Sequence, residues 1–238
     1  MAIKNIYSFD IAPNVCRQML RELERGSKWS MAHVTMNPLD DSLFHEHRKM
    51  HEIYIITKGR GKLFAHGFVF NVQAGDAFWI PPGTGHKLTN TGVTSLEHLV
   101  LASPPFNPAD VFILDQELPI GNTPVTLIIP TVQDCFDGAK IIPYDFPKIN
   151  TSVAFGWVTA DPKFQKPPHL HKKTEEWIFV IEGHGWLKTK RETVPINSGD
   201  WIYIKPGRPH ALLNSSGRHL VVVCFCTPSF SMDDTYFC

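Results

Sequence analysis

The sequence has no segment suited to a membrane and no excess of charge. No run in its 238 residues approaches the roughly 18 consecutive apolar residues of a membrane span, and the opening MAIKNIYSFDIAP has no apolar core of signal-peptide length. Lysine plus arginine and aspartate plus glutamate both number 23, so the formal net charge is zero. No basic patch or helix-turn-helix pattern is visible. We therefore expect neither a membrane nor a nucleic-acid partner.

Cysteine is scarce as well. The five cysteines are odd in number and scattered, which argues against a disulfide framework and predicts a reducing, cytoplasmic location. Cys224 and Cys226 lie in an apolar, strand-like run without a CxxC partner. We interpret this pair as packing residues and not as zinc ligands, because free cysteine usually behaves as a small buried hydrophobe.

Turn-forming residues, in contrast, are frequent. Nineteen prolines and sixteen glycines favour an all-β architecture over a helical one. The runs Ile53–Ile56 and Trp177–Val180 are apolar, rich in β-branched and aromatic residues, followed by glycine and too short for helices. Strands that are apolar on both faces suit a barrel that lines a pocket inside and is covered outside. The segment Asn14–Gly26 fits either a helix or a strand, and its alternation favours a strand.

The chain contains an internal duplication. Aligning residues 45–90 on residues 169–214 without a gap, an offset of 124, gives 15 identities in 46 positions, whereas ordinary composition predicts roughly three by chance. The same offset relates Asp110 to Asp234. We therefore predict two tandem β-barrel domains, 1–114 and 115–238, joined near the proline- and glycine-containing connection Asp115–Pro124.

Histidines and glutamates recur within this repeat in a pattern typical of a metal site. His45 and His47 stand at i and i+2, so both side chains would project from the same face of a strand. Glu52 and His86 would complete a mixed nitrogen and oxygen site on neighbouring strands. The second copy supplies an equivalent set, namely His169, His171, Glu176 and His210.

These residues resemble the two motifs of the cupin superfamily. The first motif, G-x5-H-x-H-x3,4-E-x6-G, is matched from its first histidine onward by HEHRKMHE with IYIITKG in one copy and HLHKKTEE with WIFVIEG in the other, while Leu39 and Lys163 stand at its leading glycine. The second motif, G-x5-P-x-G-x2-H-x3-N, is matched throughout by GDAFWIPPGTGHKLTN, and by GDWIYIKPGRPHALLN except that Lys205 replaces the first proline. The resemblance implies a bicupin with two jelly-roll barrels. It also implies His45, His47, Glu52 and His86 as one ligand set, and His169, His171, Glu176 and His210 as the other.

Two neighbours of these residues offer alternative ligands. Glu175 stands beside Glu176, and His51 stands beside Glu52. Both alternatives are disfavoured by strand parity, which would direct them away from the barrel interior. The same parity turns Tyr54 towards the first site, where the second copy has Ile178. Tyr54 is therefore a candidate catalytic residue, although a tyrosine that only packs at a barrel rim is the simpler interpretation.

The resemblance implies two divalent metal ions per chain, with Fe(II) or Mn(II) favoured and Zn, Ni, Co or Cu left open. The favoured function is a metal-dependent enzyme that chelates a small oxygenated acid or carbonyl compound, with dioxygenase-like chemistry ahead of decarboxylase or isomerase/lyase chemistry. The alternative is a non-catalytic protein that binds or senses a small ligand through the metal. Cupins serve many reactions, so the fold alone does not choose between them. A homodimer is left open.

Overall fold

The computed structural model describes residues 2–115, 126–127, 131–135, 137–160, 168–214 and 217–238. Within these residues the regular structure consists of β-strands and four short 3-10 helices, without any α-helix, which confirms the predicted all-β class. None of the helices described is long and apolar enough to cross a membrane. The contacts divide the chain into two compact units. We call Phe9–Ile129 the first barrel, and Met1–Ser8 with Pro130–Cys238 the second barrel.

Thirteen strands come from the first part of the chain. They are β1 (Ala2–Asn5), β2 (Ala12–Pro13), β3 (Met19–Arg25), β4 (Ser30–Met36), β5 (His45–His47), β6 (His51–Lys58), β7 (Arg60–Ala65), β8 (Phe68–Gln73), β9 (Ala77–Ile80), β10 (His86–Asn90), β11 (Leu96–Ser103), β12 (Val111–Ile113) and β13 (Thr126–Leu127). Two 3-10 helices accompany them, Ile6–Ser8 and Pro108–Asp110.

Eleven further strands are described in the rest of the chain. They are β14 (Gln133–Asp134), β15 (Lys140–Phe146), β16 (Thr151–Val158), β17 (His169–His171), β18 (Glu175–Glu182), β19 (His184–Thr189), β20 (Thr193–Asn197), β21 (Asp200–Ile204), β22 (His210–Leu213), β23 (Leu220–Thr227) and β24 (Thr235–Phe237). The remaining 3-10 helices are Pro147–Ile149 and Met232–Asp234.

Each barrel is built from one seven-stranded and one five-stranded antiparallel sheet. In the first barrel the strand orders are β13-β9-β6-β11-β4-β3-β2 and β12-β5-β10-β7-β8. In the second barrel they are β1-β21-β18-β23-β16-β15-β14 and β20-β19-β22-β17-β24. The edge strands follow the repeat, since Ala2 pairs with Tyr203 and Thr126 pairs with Trp79, again an offset of 124. The first residues of the chain thus complete a sheet of the second barrel.

The hydrophobic core of the first barrel lies between its two sheets. Tyr54, Ile56 and Phe78 from the seven-stranded sheet pack with Leu63 and Leu88 from the five-stranded sheet, and none of the five is more than 2% exposed. Full burial of one such side chain stabilises the fold by about 1.5–3 kcal/mol. The second barrel repeats this arrangement with Ile178, Val180, Leu187, Ile196 and Ile202.

The strands predicted from the sequence are found, although the strand within Asn14–Gly26 begins later than predicted. The predicted domain boundary is left open. Ile53–Ile56 and Trp177–Val180 lie within β6 and β18 and are buried on both faces. Asn14–Gly26 is a strand from Met19 to Arg25, as favoured, while the residues before Met19 form a turn closed by the Asn14 N–H donating to the Gln18 carbonyl. The boundary after residue 114 stays a prediction, because residues 116–125 lie outside those described.

Among the glycines with positive φ, one pair in each copy differs in its surroundings. Gly59 (φ +80°) follows β6, and a β-carbon placed on it would lie 2.5 Å from the Ser95 carbonyl oxygen. Gly83 (φ +76°) lies in the turn before β10, and a β-carbon there would meet no heavy atom within 4 Å. The first position therefore excludes a side chain by contact as well as by backbone conformation.

We predict that Gly59→Ala lowers the free energy of unfolding more than Gly83→Ala does. Both changes force alanine into the left-handed region, at a cost of about 1–2 kcal/mol, but only the first adds a clash with backbone. Chemical denaturation of the two variants measures the difference. The second copy offers the same comparison in Gly183→Ala against Gly207→Ala. Equal losses at the paired positions would contradict this explanation.

Candidate metal centres

The four predicted ligands of the first site come together inside the first barrel. His45 and His47 are the two ends of β5, and His86 begins the adjacent β10, where it pairs with His45. Glu52 reaches the same point from β6 in the other sheet. All four side chains are buried, and one donor atom of each lies within 4.8 Å of the others. The site therefore joins the two sheets across the barrel interior.

The carboxylate of Glu52 lies close to two of the imidazoles. Its Oε2 is 3.0 Å from His86 Nε2 and 3.3 Å from His47 Nε2. The ring centroids of His45 and His86 are 4.3 Å apart. Buried polar atoms crowded in this way need a shared partner, and a cation at the centre would accept a lone pair from each.

Backbone carbonyls fix the orientation of the three histidine rings. Each Nδ1 lies within hydrogen-bond distance of a carbonyl oxygen, namely Leu43 at 2.8 Å from His45, Asp110 at 3.0 Å from His47, and Thr84 at 2.9 Å from His86. A carbonyl can only accept, so each Nδ1 is the donor, and the Nε2 of each ring is directed into the site. This outer support is what metal-binding histidines ordinarily have.

Asp110 supports the first site in a second way that the motif analysis did not identify. Its buried carboxylate accepts hydrogen bonds from the backbone N–H groups of Arg48, Lys49 and Met50, which follow the histidine pair. Asp234 does the same for residues 172–174 in the second copy. In the sequence, Asp110 and Asp234 are related by the same offset of 124 as the rest of the repeat. That offset shows that the two residues correspond, but it does not indicate that they hold the backbone after the histidine pair.

The second set assembles in the same manner. His169 and His171 are the ends of β17, Glu176 lies on β18 and His210 begins β22. One donor atom of each lies within 4.8 Å of the others. Glu176 Oε2 is 2.8 Å from His210 Nε2 and 3.7 Å from His171 Nε2. The Nδ1 of His210 is 2.9 Å from the carbonyl of Arg208.

Neither alternative ligand joins a cluster. The carboxylate of Glu175 accepts a hydrogen bond from the Tyr203 hydroxyl, on the side of β18 opposite Glu176. The Nδ1 of His51 accepts a hydrogen bond from the Trp79 indole, 3.2 Å away. Both side chains therefore point away from the barrel interior, as strand parity predicts.

Burial and proximity set the charges of the two clusters. Burial lowers the pKa of His45 to about 3, and the nearby His86 adds to the shift. Burial likewise lowers the pKa of His169 to about 4. Burial alone would raise the pKa of Glu176, but His210 overrides it through charge and hydrogen bonding, and that pKa falls to about 2. At neutral pH His45 and His169 are therefore neutral and Glu176 is anionic, which suits a cation, whereas the charge of the neighbouring glutamate raises the pKa of His210.

The donor atoms present fit a divalent first-row metal ion. His47 Nε2 is buried and makes no hydrogen bond, although Glu52 Oε2 is 3.3 Å away. Burial would lower the pKa of His47, but the charge of Glu52 outweighs burial and raises the pKa. The carboxylate thus favours a positive charge at His47, and a bound cation would supply that charge in place of a proton. Three imidazole nitrogens and one carboxylate oxygen suit Mn, Fe, Co, Ni, Cu or Zn.

Each cluster faces a cavity, and the two cavities differ in chemistry. The first, of about 370 Å³, is lined near its ligands by the polar side chains of Asn14, Gln18, Glu22, Arg25 and Tyr54. The second, of about 480 Å³, is lined beside its ligands by aliphatic side chains and three cysteines, among them Ile141, Ile178, Leu212, Val222, Cys135, Cys224 and Cys226, while its polar lining is Asp137, Tyr144, Asp145, Ser152 and Ser229. The two ligand sets are alike, but the spaces beside them are not.

Tyr54 takes the position that parity predicted. Its hydroxyl is 3.4 Å from His86 Nε2, and its ring packs against His98 with centroids 4.9 Å apart. Burial, reinforced by the charge of Glu52, raises the pKa of the Tyr54 phenol well above its usual value. The hydroxyl therefore stays protonated and can donate a hydrogen bond. Sequence reasoning missed Tyr144, a buried tyrosine on β15 that lines the second cavity.

The cupin domain profile matches the chain twice, over residues 32–101 and 156–226. An uncharacterized protein of Methanocaldococcus jannaschii is 34% identical over 103 residues, which cover 43% of this chain and 82% of that protein. An uncharacterized protein of Aquifex aeolicus is 29% identical over 73 residues, 31% of this chain and 60% of that protein.

Solved structures with the same fold include oxalate decarboxylases. The Lactobacillus farciminis enzyme in its formate complex superposes with a TM-score of 0.75 at 15% identity, covering 100% of this chain and 88% of that one. The Bacillus subtilis enzyme at pH 4.6 gives a TM-score of 0.70 at 14% identity, covering 100% and 78%. A further structure of the B. subtilis enzyme, concerned with its Mn(II) centres, gives 0.71 at 14%, covering 100% and 79%. At these identities the likeness shows the fold.

We predict that each ligand set can be emptied separately. His47→Ala removes a donor from the first cluster and leaves the second intact, and His171→Ala does the reverse, because each cluster lies within one barrel. Elemental analysis after loading with Mn(II) measures the metal content per chain. His51→Ala is the matched control, since this neighbouring histidine lies outside the cluster. Loss of all metal from either single variant would contradict two independent sites.

Proposed function

The chain belongs to the cupin family, and on that basis we propose that it is a metal-dependent enzyme acting on a small oxygenated acid or carbonyl compound. The observation that carries this proposal is the presence of two complete sets of three histidines and one glutamate, the first fully buried and the second buried except for the half-buried His169, each facing a cavity. A structural ion needs no adjoining space, whereas a substrate does. We propose His45, His47, Glu52 and His86 as ligands of one ion, and His169, His171, Glu176 and His210 as ligands of the other.

Mn(II) and Fe(II) are the proposed metals, and Mn(II) is also the metal named for the B. subtilis oxalate decarboxylase. A bound divalent ion would supply Lewis-acid polarisation of substrate oxygens. The structural neighbours reported above are decarboxylases, which favours carbon–carbon cleavage over the dioxygenase chemistry expected from the sequence.

The residues around the first site would position and polarise such a substrate. The three histidines hold fixed directions because their Nδ1 atoms are already hydrogen-bonded to backbone carbonyls. Tyr54 presents a protonated hydroxyl 3.4 Å from a proposed ligand atom. A donor held so near the ligands can stabilise negative charge that develops on a substrate oxygen. We therefore propose Tyr54 as a catalytic residue and the first barrel as the one that turns over.

A binding protein is the second candidate, and the lining of the second cavity favours it. Ile141, Ile178, Leu212 and Val222 give that cavity an aliphatic wall, the usual surrounding of a bound small molecule. On this alternative the metal holds a ligand without converting it. Binding of an acid to the metal-loaded protein, with no product formed over many hours, would support this candidate.

We predict two divalent ions per chain in protein made with ample metal. Removing them with a chelator should abolish turnover of the acid substrate, and adding Mn(II) or Fe(II) should restore it, because no other described group supplies an electrophile in either cavity. Elemental analysis and assays of oxalate and related small acids test both parts. A stoichiometry at or below one under saturating metal would overturn the proposal of two sites.

We predict that Glu52→Ala abolishes turnover while Glu176→Ala spares it, when the untouched site is equally loaded. Tyr54→Phe should lower kcat by about 10²–10³, the usual loss for one positioned donor. Tyr144→Phe is the matched control in the second cavity. Activity that survives Glu52→Ala but not Glu176→Ala would reverse the assignment. Unchanged kcat in Tyr54→Phe would make Tyr54 a packing residue.

A further inference from the structure

Gln18 carries a buried donor that the fold does not use. Its side chain lines the first cavity together with His45, His47 and Glu52. The residue is only 5% exposed, yet its Nε2 has no hydrogen-bond partner. A buried amide nitrogen without an acceptor costs free energy that most proteins avoid. Such a group beside a metal site is expected to meet its acceptor in a ligand.

The neighbouring hydrogen bonds identify which end of the amide is unpaired. Asn14 Oδ1 accepts from the backbone N–H groups of Cys16 and Gln18, both at 2.9 Å. Only an oxygen can accept from those groups, so the other end of the Asn14 amide is its NH₂. That NH₂ donates to Gln18 Oε1 at 3.3 Å. The free end of Gln18 is therefore the donor, with two N–H groups to give.

The second barrel shows that this turn forms without the amide. The Asn14 N–H donates to the Gln18 carbonyl at 2.8 Å, and the Cys135 N–H donates to the Ala139 carbonyl at the same distance. Ala139 therefore stands where Gln18 stands in the first barrel, and Cys135 stands where Asn14 stands. The backbone is shared, but the polar pair is present only beside the first site.

Arg25 and Glu22, two charged side chains that line the first cavity, form an ion pair with each other. Arg25 donates to Glu22 through Nε at 2.8 Å and through a terminal nitrogen at 2.6 Å. It also donates to the Phe106 carbonyl at 3.1 Å. The guanidinium of Arg25 is therefore already hydrogen-bonded, whereas the Nε2 of Gln18 is not. A ligand oxygen in this cavity would accept a hydrogen bond from the neutral amide of Gln18.

We propose that Gln18 is a specificity-determining residue of the first barrel, donating a hydrogen bond to an acceptor oxygen of the ligand held at the metal site. The ligand class is a small oxo acid or dicarboxylic acid, which has acceptor oxygens beyond those bound to the cation. The inference rests on the proposed function, since it takes the ligand to be a metal-bound acid. Ala139 gives the second barrel no such donor, so the two barrels differ in the acids they accept.

The test uses His171→Ala protein loaded with Co(II), so that visible absorption reports ligands at the first site alone. Oxalate is the probe with acceptor oxygens, and imidazole is the probe that binds a metal but has none. Gln18→Met keeps the side-chain length and removes the donor. We expect it to weaken oxalate binding about tenfold to a hundredfold, the usual loss for a hydrogen bond to a charged group, and to change imidazole binding less than twofold. Gln73→Met, the same change at an exposed position, is the matched control and should alter neither.

The outcomes separate the inference from the proposed function. Equal oxalate affinity in Gln18→Met and its parent would overturn the role of Gln18 and leave the metal site standing. A parallel loss of oxalate and imidazole affinity would show that Gln18 only maintains the site, and would also overturn it. Failure of oxalate and related acids to bind the Co(II) protein with Gln18 intact would overturn the proposed function, and the inference with it.

Discussion

Crowding three imidazoles and a carboxylate within 4.8 Å of one another inside an apolar barrel is the constraint on which the rest of each domain depends. Desolvation alone would protonate the carboxylate, and mutual repulsion would disfavour charged imidazoles. The barrel holds the histidines in place against these effects. In the first copy, backbone carbonyls of residues 43, 84 and 110 accept hydrogen bonds from the Nδ1 atoms of the three rings. Asp110 in turn holds the backbone after the histidine pair. What remains unpaired is directed inward, where a cation would satisfy it.

The ligand sets were predictable because the information that specifies them is local and repeated. A period of two along a strand brings His45 and His47 to one face, and the same rule excludes Glu175 and His51. The gapless offset of 124 then transfers the whole set to the second copy. The all-β class followed from short apolar runs between turn residues, which need no knowledge of how the sheets are ordered.

Other features could not be read from the sequence because they depend on pairing between distant segments. Nothing in Ala2–Asn5 indicates that it pairs with β21, about two hundred residues later. Gln18 and Ala139 occupy the same turn at an offset of 121, not 124, so an ungapped comparison does not align them. Tyr144 was missed for the same reason, since β15 precedes the repeat and its register is set by pairing with β16 and β14.

The divergence of the two cavities follows from where their residues come from. The proposed metal ligands lie on β5, β6 and β10 or their equivalents, and a change in any of them would remove one donor atom from its cluster. The cavity walls include the turns that precede β3 and β15, where an exchange leaves the strands intact, as when Gln18 in one copy corresponds to Ala139 in the other. Duplicated barrels can therefore keep the same metal-binding residues and differ in the small molecules that they bind. Differences between the two sites of this chain are thus to be sought in the walls, because the ligands are the same.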